Sequence, residues 1–444
     1  MKKLMILTII AISILSCTSQ KKDLIINLHS ENGYGVFCPG DKIIFPNNDS
    51  IQYKGIPTEL KEYVVRSMPL QSAQYYWDTY KKGKIDKDRF LKIVSRFKID
   101  TTILANTPYD YYVAILIGTN QKGKRVIIVD SNNDEDFSEE QILEYEYPLS
   151  IKEQNKIYNT LPTILTNYEY YLDGNVIEKS IELRPIPYKG SLGIGYNTNN
   201  EIEKKYDLLV SFPQYRKGEI TIDKTKFEVF ASNGFTSPSY SKRETSILFS
   251  KTNDKKPSEV DGDIPYQFGD IINLNKQDYL LDNISLWGDT IKLKYIGENT
   301  HPTGIREGMF IPKFNAKKLD NSTLNFDQYP NKYILLDFWG TWCNPCIVLI
   351  PELKELNNQF RDKKFVLISV AYDRDVQKVS DFVKNEQMEW EHVFVSQTQP
   401  DKNSLVEKLK VMSFPTTILI SPDGKIIARN KTIPELKEIL KNAL

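Results

Sequence analysis

Cysteine and histidine are scarce in this chain of 444 residues, which contains four of the former and three of the latter. So few thiols exclude a disulfide-rich scaffold. The histidines, His29, His301 and His392, are not paired at the spacing of metal ligands. An excess of one charge is also missing, because 58 basic residues balance 58 acidic residues. The composition therefore argues against a nucleic-acid-binding or polybasic membrane role.

The length of the chain and its apolar content predict a folded protein of two or three domains. A single hydrophobic core seldom serves more than about 250–300 residues. Hydrophobic residues make up 40% of the sequence, as in ordinary globular proteins. Tyrosine is plentiful, with 26 copies, and many of them lie in alternating stretches that favour β-strands.

An apolar run, Leu4–Leu15, follows two lysines at the start of the chain. It is too short to span a bilayer stably, so residues 1–16 are predicted to be an export signal. Cleavage directly before Cys17 resembles the signal of bacterial lipoproteins, in which the cysteine is acylated, and residues 17–23 would then form a tether. An uncleaved segment, or an ordinary secretory signal followed by a chance cysteine, is the alternative.

The region from residue 24 to residue 300 carries no motif that names it. We divide it into a mixed helix and strand region, 24–160, and a β-rich region, 161–300. Helices are predicted at Thr58–Ser67, Gln71–Lys81 and Lys87–Phe97. Alternating segments around turn residues predict two hairpins, Tyr111–Gly118 with Arg125–Asp130 and Asn167–Leu172 with Val176–Leu183.

The C-terminal part, residues 305–444, follows a polar linker and alternates between strands and helices. Strands are predicted at Tyr333–Phe338 and Phe365–Tyr372, helices at Cys346–Phe360 and Val376–Asn385, then a hairpin of Thr416–Ile420 with Lys425–Arg429 and a closing helix Pro434–Leu444. This order predicts an α/β domain after a mostly β N-terminal region with some helix.

Cys343 and Cys346 form a Cys-x-x-Cys pair between the first predicted strand of this part and its first helix. Two cysteines at this spacing can close a disulfide. The first thiol faces the positive end of the helix dipole, which favours the thiolate, and the thiolate is the attacking species. We therefore expect Cys343 to attack a substrate disulfide and Cys346 to resolve the mixed disulfide.

A zinc site is the alternative use of such a pair. It would require two further ligands. The other thiols, Cys17 and Cys38, and the three histidines are not placed to supply them in sequence. No metal is therefore predicted here, and the redox-active disulfide itself takes the place of a cofactor.

The run Leu336-Asp337-Phe338-Trp339-Gly340-Thr341-Trp342-Cys343-Asn344-Pro345-Cys346 resembles the active-site strand and helix of the thioredoxin superfamily. It is most similar to the membrane-anchored TlpA/ResA-like disulfide reductases of bacterial envelopes. The resemblance covers residues 308–444, and Pro351 matches the proline inside the active-site helix of thioredoxins. The long β-rich region before such a domain resembles envelope lipoproteins of Bacteroidota.

The resemblance also implies a substrate groove. It would be formed by Trp342, beside the first cysteine, and by the loop Phe414-Pro415-Thr416, whose proline is expected to be cis. Asp337 lies in an otherwise apolar strand, so burial should raise the pKa of its carboxyl. At this position thioredoxins carry an aspartate that exchanges a proton with the second cysteine, which we expect here for Cys346. A structural aspartate at the strand end is the alternative.

One position departs from the TlpA/ResA-like pattern. These enzymes usually carry glutamate three residues after the second cysteine, where this chain has Leu349. Asp337 is therefore expected to carry the acid–base task alone. Because Asn344-Pro345 supplies no cation beside Cys343, we also expect a thiolate less stabilised than that of a strong oxidant, which favours a reductase.

Oxygen-bearing side chains alternate in the segment 130–137, at Asp130, Asn132, Asp134 and Asp136. Calcium loops share this spacing, but the sixth position is glutamate rather than glycine, so a solvated acidic turn is the preferred interpretation. Cys38 is expected to be an inert thiol, or to pair with Cys17 if that residue is not acylated.

The sequence thus predicts a lipid-anchored thiol–disulfide oxidoreductase facing the periplasm. It would reduce protein disulfides and draw electrons from a membrane donor. Two alternatives remain: a binding or assembly lipoprotein in which the redox domain is accessory, and a thiol peroxidase. The peroxidase would require threonine three residues before Cys343, where the chain has Gly340.

Overall fold

The computed structural model describes residues 23–44, 51–187, 202, 205–206, 208–254, 256–259, 263–399 and 401–444. The predicted export signal and Cys17 lie outside these residues. Within the described ranges, no helix is long and apolar enough to cross a membrane.

The N-terminal region is built mainly from strands, as predicted. Its elements are β1 (Leu24–Asn32), β2 (Lys42–Ile44), β3 (Leu60–Pro69), α1 (Ser72–Lys81), α2 (Lys87–Phe97), β4 (Tyr112–Asn120), β5 (Arg125–Val129), β6 (Leu143–Tyr145), α3 (Ile151–Ile157), β7 (Ile164–Leu172), β8 (Asn175–Ile186), β9 (Leu208–Ser211), β10 (Gln214–Ile222), β11 (Thr225–Ser232), β12 (Ser246–Lys251), β13 (Ile271–Leu274), β14 (Gln277–Ile284) and β15 (Thr290–Glu298). Both predicted hairpins, β4–β5 and β7–β8, are present.

These strands form three antiparallel sheets. Seven of them make one sheet in the order β12-β11-β10-β1-β15-β14-β13, and the others form β2-β9-β8-β7 and β3-β4-β5-β6. The two four-stranded sheets share one apolar core, to which Met68, Ile115, Leu183 and Val210 contribute. The seven-stranded sheet has a core of its own around Ile26, Val229 and Leu293.

Two expectations for this region require correction. Most of the segment predicted as a helix at Thr58–Ser67 belongs to strand β3, which begins at Leu60 and pairs with β4 up to Pro69. Its β-branched residues Val64 and Val65 suit a strand better than a helix. Strands on both sides of the expected boundary at residues 160 and 161 also share sheets, because β1 pairs with β10 and β2 pairs with β9.

The C-terminal part is a five-stranded mixed sheet with helices and a small hairpin. Its elements are β16 (Asn315–Lys317), β17 (Thr323–Asn325), β18 (Tyr333–Trp339), α4 (Asn344–Phe360), β19 (Phe365–Asp373), α5 (Val376–Asn385), β20 (Glu391–Ser396), α6 (Leu405–Lys408), β21 (Thr416–Ile420), β22 (Ile426–Arg429) and α7 (Ile433–Ala443). The strand order is β20-β19-β18-β21-β22, and β18 lies in the centre. This is the α/β arrangement that the sequence predicted.

The central strand β18 is buried on both faces, which explains its nearly continuous apolar sequence. One face packs Leu336 and Phe338 against the side of the sheet that carries α6. The other face packs Leu335 under α4 and α7, and Trp339 against the cysteine pair. The strand therefore ends directly beneath the start of α4.

Arg306 ties the N-terminal region to the C-terminal part. Its guanidinium donates hydrogen bonds to the backbone oxygens of Ile264 (3.0 Å) and Pro265 (2.9 Å). It also lies 3.4 Å from the ring centroid of Tyr266, a cation–π contact. The segment predicted as a linker is therefore held against the preceding residues.

Candidate active site

Helix α4 begins immediately after Cys343, which serves as its N-cap residue. The backbone N–H of Cys346 donates to the Cys343 sulfur at 3.3 Å, and this bond satisfies one of the free N–H groups at the helix start. Cys343 and Cys346 are joined as a disulfide, with their Cα atoms 5.3 Å apart. Cys343 is 4% exposed and Cys346 is 3% exposed. The predicted pair therefore exists as a redox-capable disulfide at a helix N-terminus.

The turn before Cys343 is fixed by Asp373, at the end of β19. One carboxylate oxygen accepts bonds from the backbone N–H (2.8 Å) and the hydroxyl (2.7 Å) of Thr341, and the other accepts from the N–H of Arg374. Burial raises the pKa of Asp373, but these hydrogen bonds outweigh it, so the pKa is lowered overall. Asp373 thus remains ionised and holds the turn that presents Cys343.

An aromatic wall borders the cysteine pair. Trp342 is 49% exposed, and its indole nitrogen donates a hydrogen bond to the backbone oxygen of Tyr372 at 2.8 Å. Its ring meets the ring of Phe414 edge-on, with 5.4 Å between the two ring centroids. Phe414 stacks in turn on Tyr372. Trp339, by contrast, is buried in the apolar cluster that contains both cysteines.

The loop carrying Phe414, Pro415 and Thr416 lies beside this wall. The Phe414–Pro415 peptide bond is cis, which confirms that prediction. Phe414 packs against the apolar cluster that contains both cysteines. The hydroxyl of Thr416 donates a hydrogen bond to the backbone oxygen of Ser413 at 2.8 Å, so this side chain stabilises its own loop.

Asp337 lies on β18 and is 3% exposed. Burial raises the pKa of its carboxyl to about 6, although the hydroxyl of Ser369, at 2.9 Å, acts in the opposite direction. The expected burial and the expected direction of the pKa change are both present. A carboxyl with a pKa near neutrality can accept or release a proton under physiological conditions.

Leu349 occupies the position where TlpA/ResA-like enzymes usually carry glutamate. It lines a groove of about 380 Å³ together with Pro415, Thr417 and Glu352. The carboxylate of Glu352 therefore lies one turn further along α4 on the same groove. Its presence there is a feature that the cysteine motif gave no reason to expect.

The four calcium candidates, Asp130, Asn132, Asp134 and Asp136, lie in one turn, and the oxygens of all four side chains accept hydrogen bonds from backbone N–H groups of that turn. Across the described residues, no group of three or more His, Cys, Asp or Glu side chains is placed to hold a metal ion. The geometry gives the calcium interpretation no support.

Cys38 is exposed, and it forms no disulfide with any cysteine in the part of the chain that the structure describes, which leaves out Cys17. Burial and the charge of Glu259 raise the pKa of its thiol. A raised pKa leaves less thiolate at neutral pH, so Cys38 is a poorer nucleophile than an ordinary exposed cysteine.

Three polar residues near the site escaped prediction from the sequence: Ser369, Asp373 and Trp390. Each acts on a residue at least 21 positions away in the chain. Asp373 left one usable signal, since it directly follows the predicted strand Phe365–Tyr372, which the structure places parallel to the strand that leads into Cys343. Parallel neighbours end at the same edge of a sheet, which brings Asp373 beside the cysteine turn.

The model of a thioredoxin-like family matches residues 331–426. The thiol-disulfide oxidoreductase ResA of Bacillus cereus is 30% identical over 138 residues, which cover 30% of this chain and 76% of that protein. ResA of Bacillus thuringiensis subsp. konkukian is 29% identical over 151 residues, 33% of this chain and 84% of that protein. A solved thiol-disulfide oxidoreductase from Bacteroides fragilis shares 28% identity at a TM-score of 0.28 and covers 30% of this chain and 99% of its own. Through its C-terminal third, this chain belongs to the thioredoxin-like family of thiol-disulfide oxidoreductases that includes ResA.

Proposed function

We propose that this thiol–disulfide oxidoreductase reduces protein disulfides in the cell envelope while an acylated Cys17 tethers it to a membrane. The observation that carries the proposal is the Cys343–Cys346 pair at the start of α4, bordered by the cis-proline loop. Exposed Trp342 offers an aromatic surface beside that pair on which an extended substrate segment can pack.

The reaction proceeds in two exchanges. The thiolate of Cys343 attacks one sulfur of the substrate disulfide, forms a mixed disulfide and releases the other sulfur as a thiolate. Cys346 then gives its proton to the Asp337 carboxylate and displaces the substrate sulfur from Cys343. Two electrons pass to the substrate, whose two thiolates take up protons from water. A membrane electron donor afterwards returns two electrons to the Cys343–Cys346 disulfide.

The surroundings of Cys343 support a reductase rather than an oxidase. The donor to its sulfur is the backbone N–H of Cys346, and the residues between the two cysteines, Asn344 and Pro345, are uncharged. A reduced form without added cationic stabilisation makes the dithiol a better electron donor. A reduction potential of ~−270 mV, as in thioredoxin, would support the reductase, whereas ~−120 mV would support an oxidase.

The peroxidase alternative is disfavoured by the packing at Gly340. A side-chain carbon at this position would lie 2.5 Å from the indole nitrogen of Trp342 and 2.8 Å from the Tyr372 oxygen. Such contacts exclude a threonine unless the aromatic wall moves. The threonine on which the peroxidase arrangement depends therefore has no room here.

Insulin reduction by the full chain tests this proposal. We expect Cys343→Ser and Cys346→Ser to abolish turnover, while Cys38→Ser, which removes the exposed thiol far from the pair in sequence, leaves it unchanged. Cys346→Ser should instead accumulate a mixed disulfide through Cys343. Activity that persists in Cys343→Ser, or a substrate bonded to Cys38, would refute the proposal.

The membrane tether requires a separate measurement. Cells fed an alkyne-labelled fatty acid should incorporate it into the wild-type protein and not into Cys17→Ala. Equal incorporation into both proteins, or none into either, would refute the acylation of Cys17.

A further inference from the structure

A row of four polar side chains crosses the C-terminal sheet beneath α4. Strand pairing places Ser369 beside Asp337, Thr417 on the other side of Asp337, and His392 beyond Ser369. All four are buried, between the apolar layer around Leu335 and the layer that contains the cysteines. Buried polar groups of this kind are costly unless they are hydrogen-bonded, so their partners are informative.

Two hydrogen bonds connect Asp337 to an indole nitrogen through Ser369. Trp390 donates from its indole nitrogen to the Ser369 hydroxyl oxygen at 2.8 Å, and that hydroxyl donates to one oxygen, Oδ2, of Asp337 at 2.9 Å. An indole nitrogen is a donor only and a serine hydroxyl has a single proton. The serine proton is therefore directed at Oδ2, which leaves Oδ1 as the oxygen that can exchange a proton.

Trp390 is itself held in place by His392. The two rings stack at 5.6 Å, and Nε2 of His392 lies 3.1 Å from the Met388 oxygen. Burial lowers the pKa of His392 to about 4, so its ring is neutral at physiological pH and donates from Nε2 to that oxygen. The support behind Asp337 is thus a neutral, hydrogen-bonded stack rather than a cation.

We infer that Ser369 and Trp390 are positioning residues that direct Oδ1 of Asp337 towards proton exchange with Cys346. This inference rests on the proposed function. In the step concerned, the Cys346 proton passes to Oδ1, the Cys346–Cys343 bond forms, and the bond between Cys343 and the substrate sulfur breaks. The electron pair of that bond leaves with the substrate thiolate.

Titratable groups on the elements around Asp337 include Cys346, Glu352, Lys354 and Glu355 on α4, Asp373 on β19, Glu391 and His392 on β20 and Arg429 on β22, with Cys343 before α4 and Lys431 after β22. The residue opposite it on β21, Thr417, is uncharged and donates to the Lys431 oxygen at 3.0 Å. Burial and the Ser369 hydroxyl are the influences that set the pKa of Asp337. A change at Ser369 should therefore be visible in the pH dependence of the Cys346 step.

The test is stopped-flow reaction of the reduced full chain with DTNB, with Cys17 and Cys38 replaced by serine. Attack by Cys343 releases one thionitrobenzoate, and displacement by Cys346 releases a second in a phase that does not depend on DTNB concentration. We expect the rate of the second phase to rise with increasing pH, with a midpoint near pH 6, because Asp337 must be ionised to accept the proton of Cys346. Ser369→Ala should move this midpoint upward by about one pH unit, because a hydrogen bond to an ionised carboxylate is lost.

Matched variants distinguish the loss of the hydrogen bond to Asp337 from a general disturbance of the fold. Trp390→Phe should shift the midpoint in the same direction by less, and Ser369→Thr, which keeps a hydroxyl, should restore it. Thr417→Val removes a buried hydroxyl from the same row that does not bond Asp337, and should leave the midpoint in place. An unchanged first phase reports an intact Cys343 site in each variant.

Coincident midpoints for Ser369→Ala, Thr417→Val and the parent would overturn the inference and leave the proposed function standing. Absence of the concentration-independent second phase in the parent would overturn both, since Cys346 would then not resolve the mixed disulfide.

Discussion

Replacing Asp337 by asparagine should change how the stability of the oxidised protein depends on pH. The pKa of the buried carboxyl is about 6 in the folded protein, against 3.8 for an ordinary aspartate. A raised folded pKa means that the folded state binds the proton more tightly. The contribution of Asp337 to stability is therefore fully present below the unfolded pKa and is lost as pH rises through about 6.

The magnitude follows from linkage. Between pH 4 and pH 7, the difference between the two pKa values should cost the wild-type protein about 2 kcal/mol that Asp337→Asn does not lose. Urea unfolding, followed by tryptophan fluorescence, to which Trp339, Trp342 and Trp390 of the C-terminal part contribute, measures this loss for both proteins at both pH values. The comparison uses the change in the free energy of unfolding between pH 4 and pH 7 within each protein. The cost of placing an amide beside Ser369 is the same at both pH values and therefore cancels.

Asp375, the exposed N-cap of α5, supplies a control, since Asp375→Asn changes a carboxylate that is not buried. That variant should retain the wild-type loss between pH 4 and pH 7. Equal losses in Asp337→Asn and the wild type would show that Asp337 is ionised in the folded protein at both pH values, and the acid–base role would fail.

Two further predictions concern the surroundings of the cysteine pair. Asp373→Asn keeps one acceptor oxygen where the carboxylate uses two, so it cannot accept from both Thr341 and the N–H of Arg374, and we expect about 1–3 kcal/mol less stability and slower insulin reduction. Because the pKa of Asp373 is lowered, the wild-type advantage should be full above the unfolded value of about 3.8 and be lost as pH falls through the lower folded pKa. Leu349→Glu places a carboxylate on the groove beside Pro415, and it should recover part of the insulin-reduction rate lost in Asp337→Asn; no recovery would mean that a carboxylate there cannot replace the buried one.

Much of the C-terminal fold could be predicted because local signals agree there. Cys343 and Cys346 follow an apolar strand and open a helix, and Thr432 caps the closing helix with a side-chain bond to Glu435. Hydrophobic period, cap and turn residues all indicate the same elements, so the positions of α4 and the cis-proline loop followed from short stretches of sequence.

The N-terminal region was less predictable because its pairings join distant segments. Strand β1 lies between β10 and β15, whose paired residues come roughly 190 and 270 positions later, and no local pattern specifies those partners. The misassigned strand β3 contains apolar residues at spacings that suit either a helix or a strand. Pairing with β4 makes this segment a strand, and a local sequence pattern does not reveal that pairing because β4 lies about fifty residues further along the chain.

The support around Asp337 was hidden for the same reason. A serine within an apolar strand and a tryptophan between Glu389 and Glu391 carry no signature of proton chemistry by themselves. They become meaningful only when β18, β19 and β20 lie side by side and align Ser369 with Asp337. Sequence can nominate the cysteines and the carboxyl, whereas the residues that orient the carboxyl emerge from strand register.

The most direct test of the account is the reactivity of Cys343 in the reduced, folded protein, because this residue is 4% exposed in the oxidised form. A brief pulse of iodoacetamide at pH 7, followed by peptide mass spectrometry, ranks the thiols. We predict that Cys343 is alkylated first, with Cys346 and Cys38 far behind. Faster alkylation of Cys38, or a Cys343 that stays unmodified until the protein unfolds, would contradict the account.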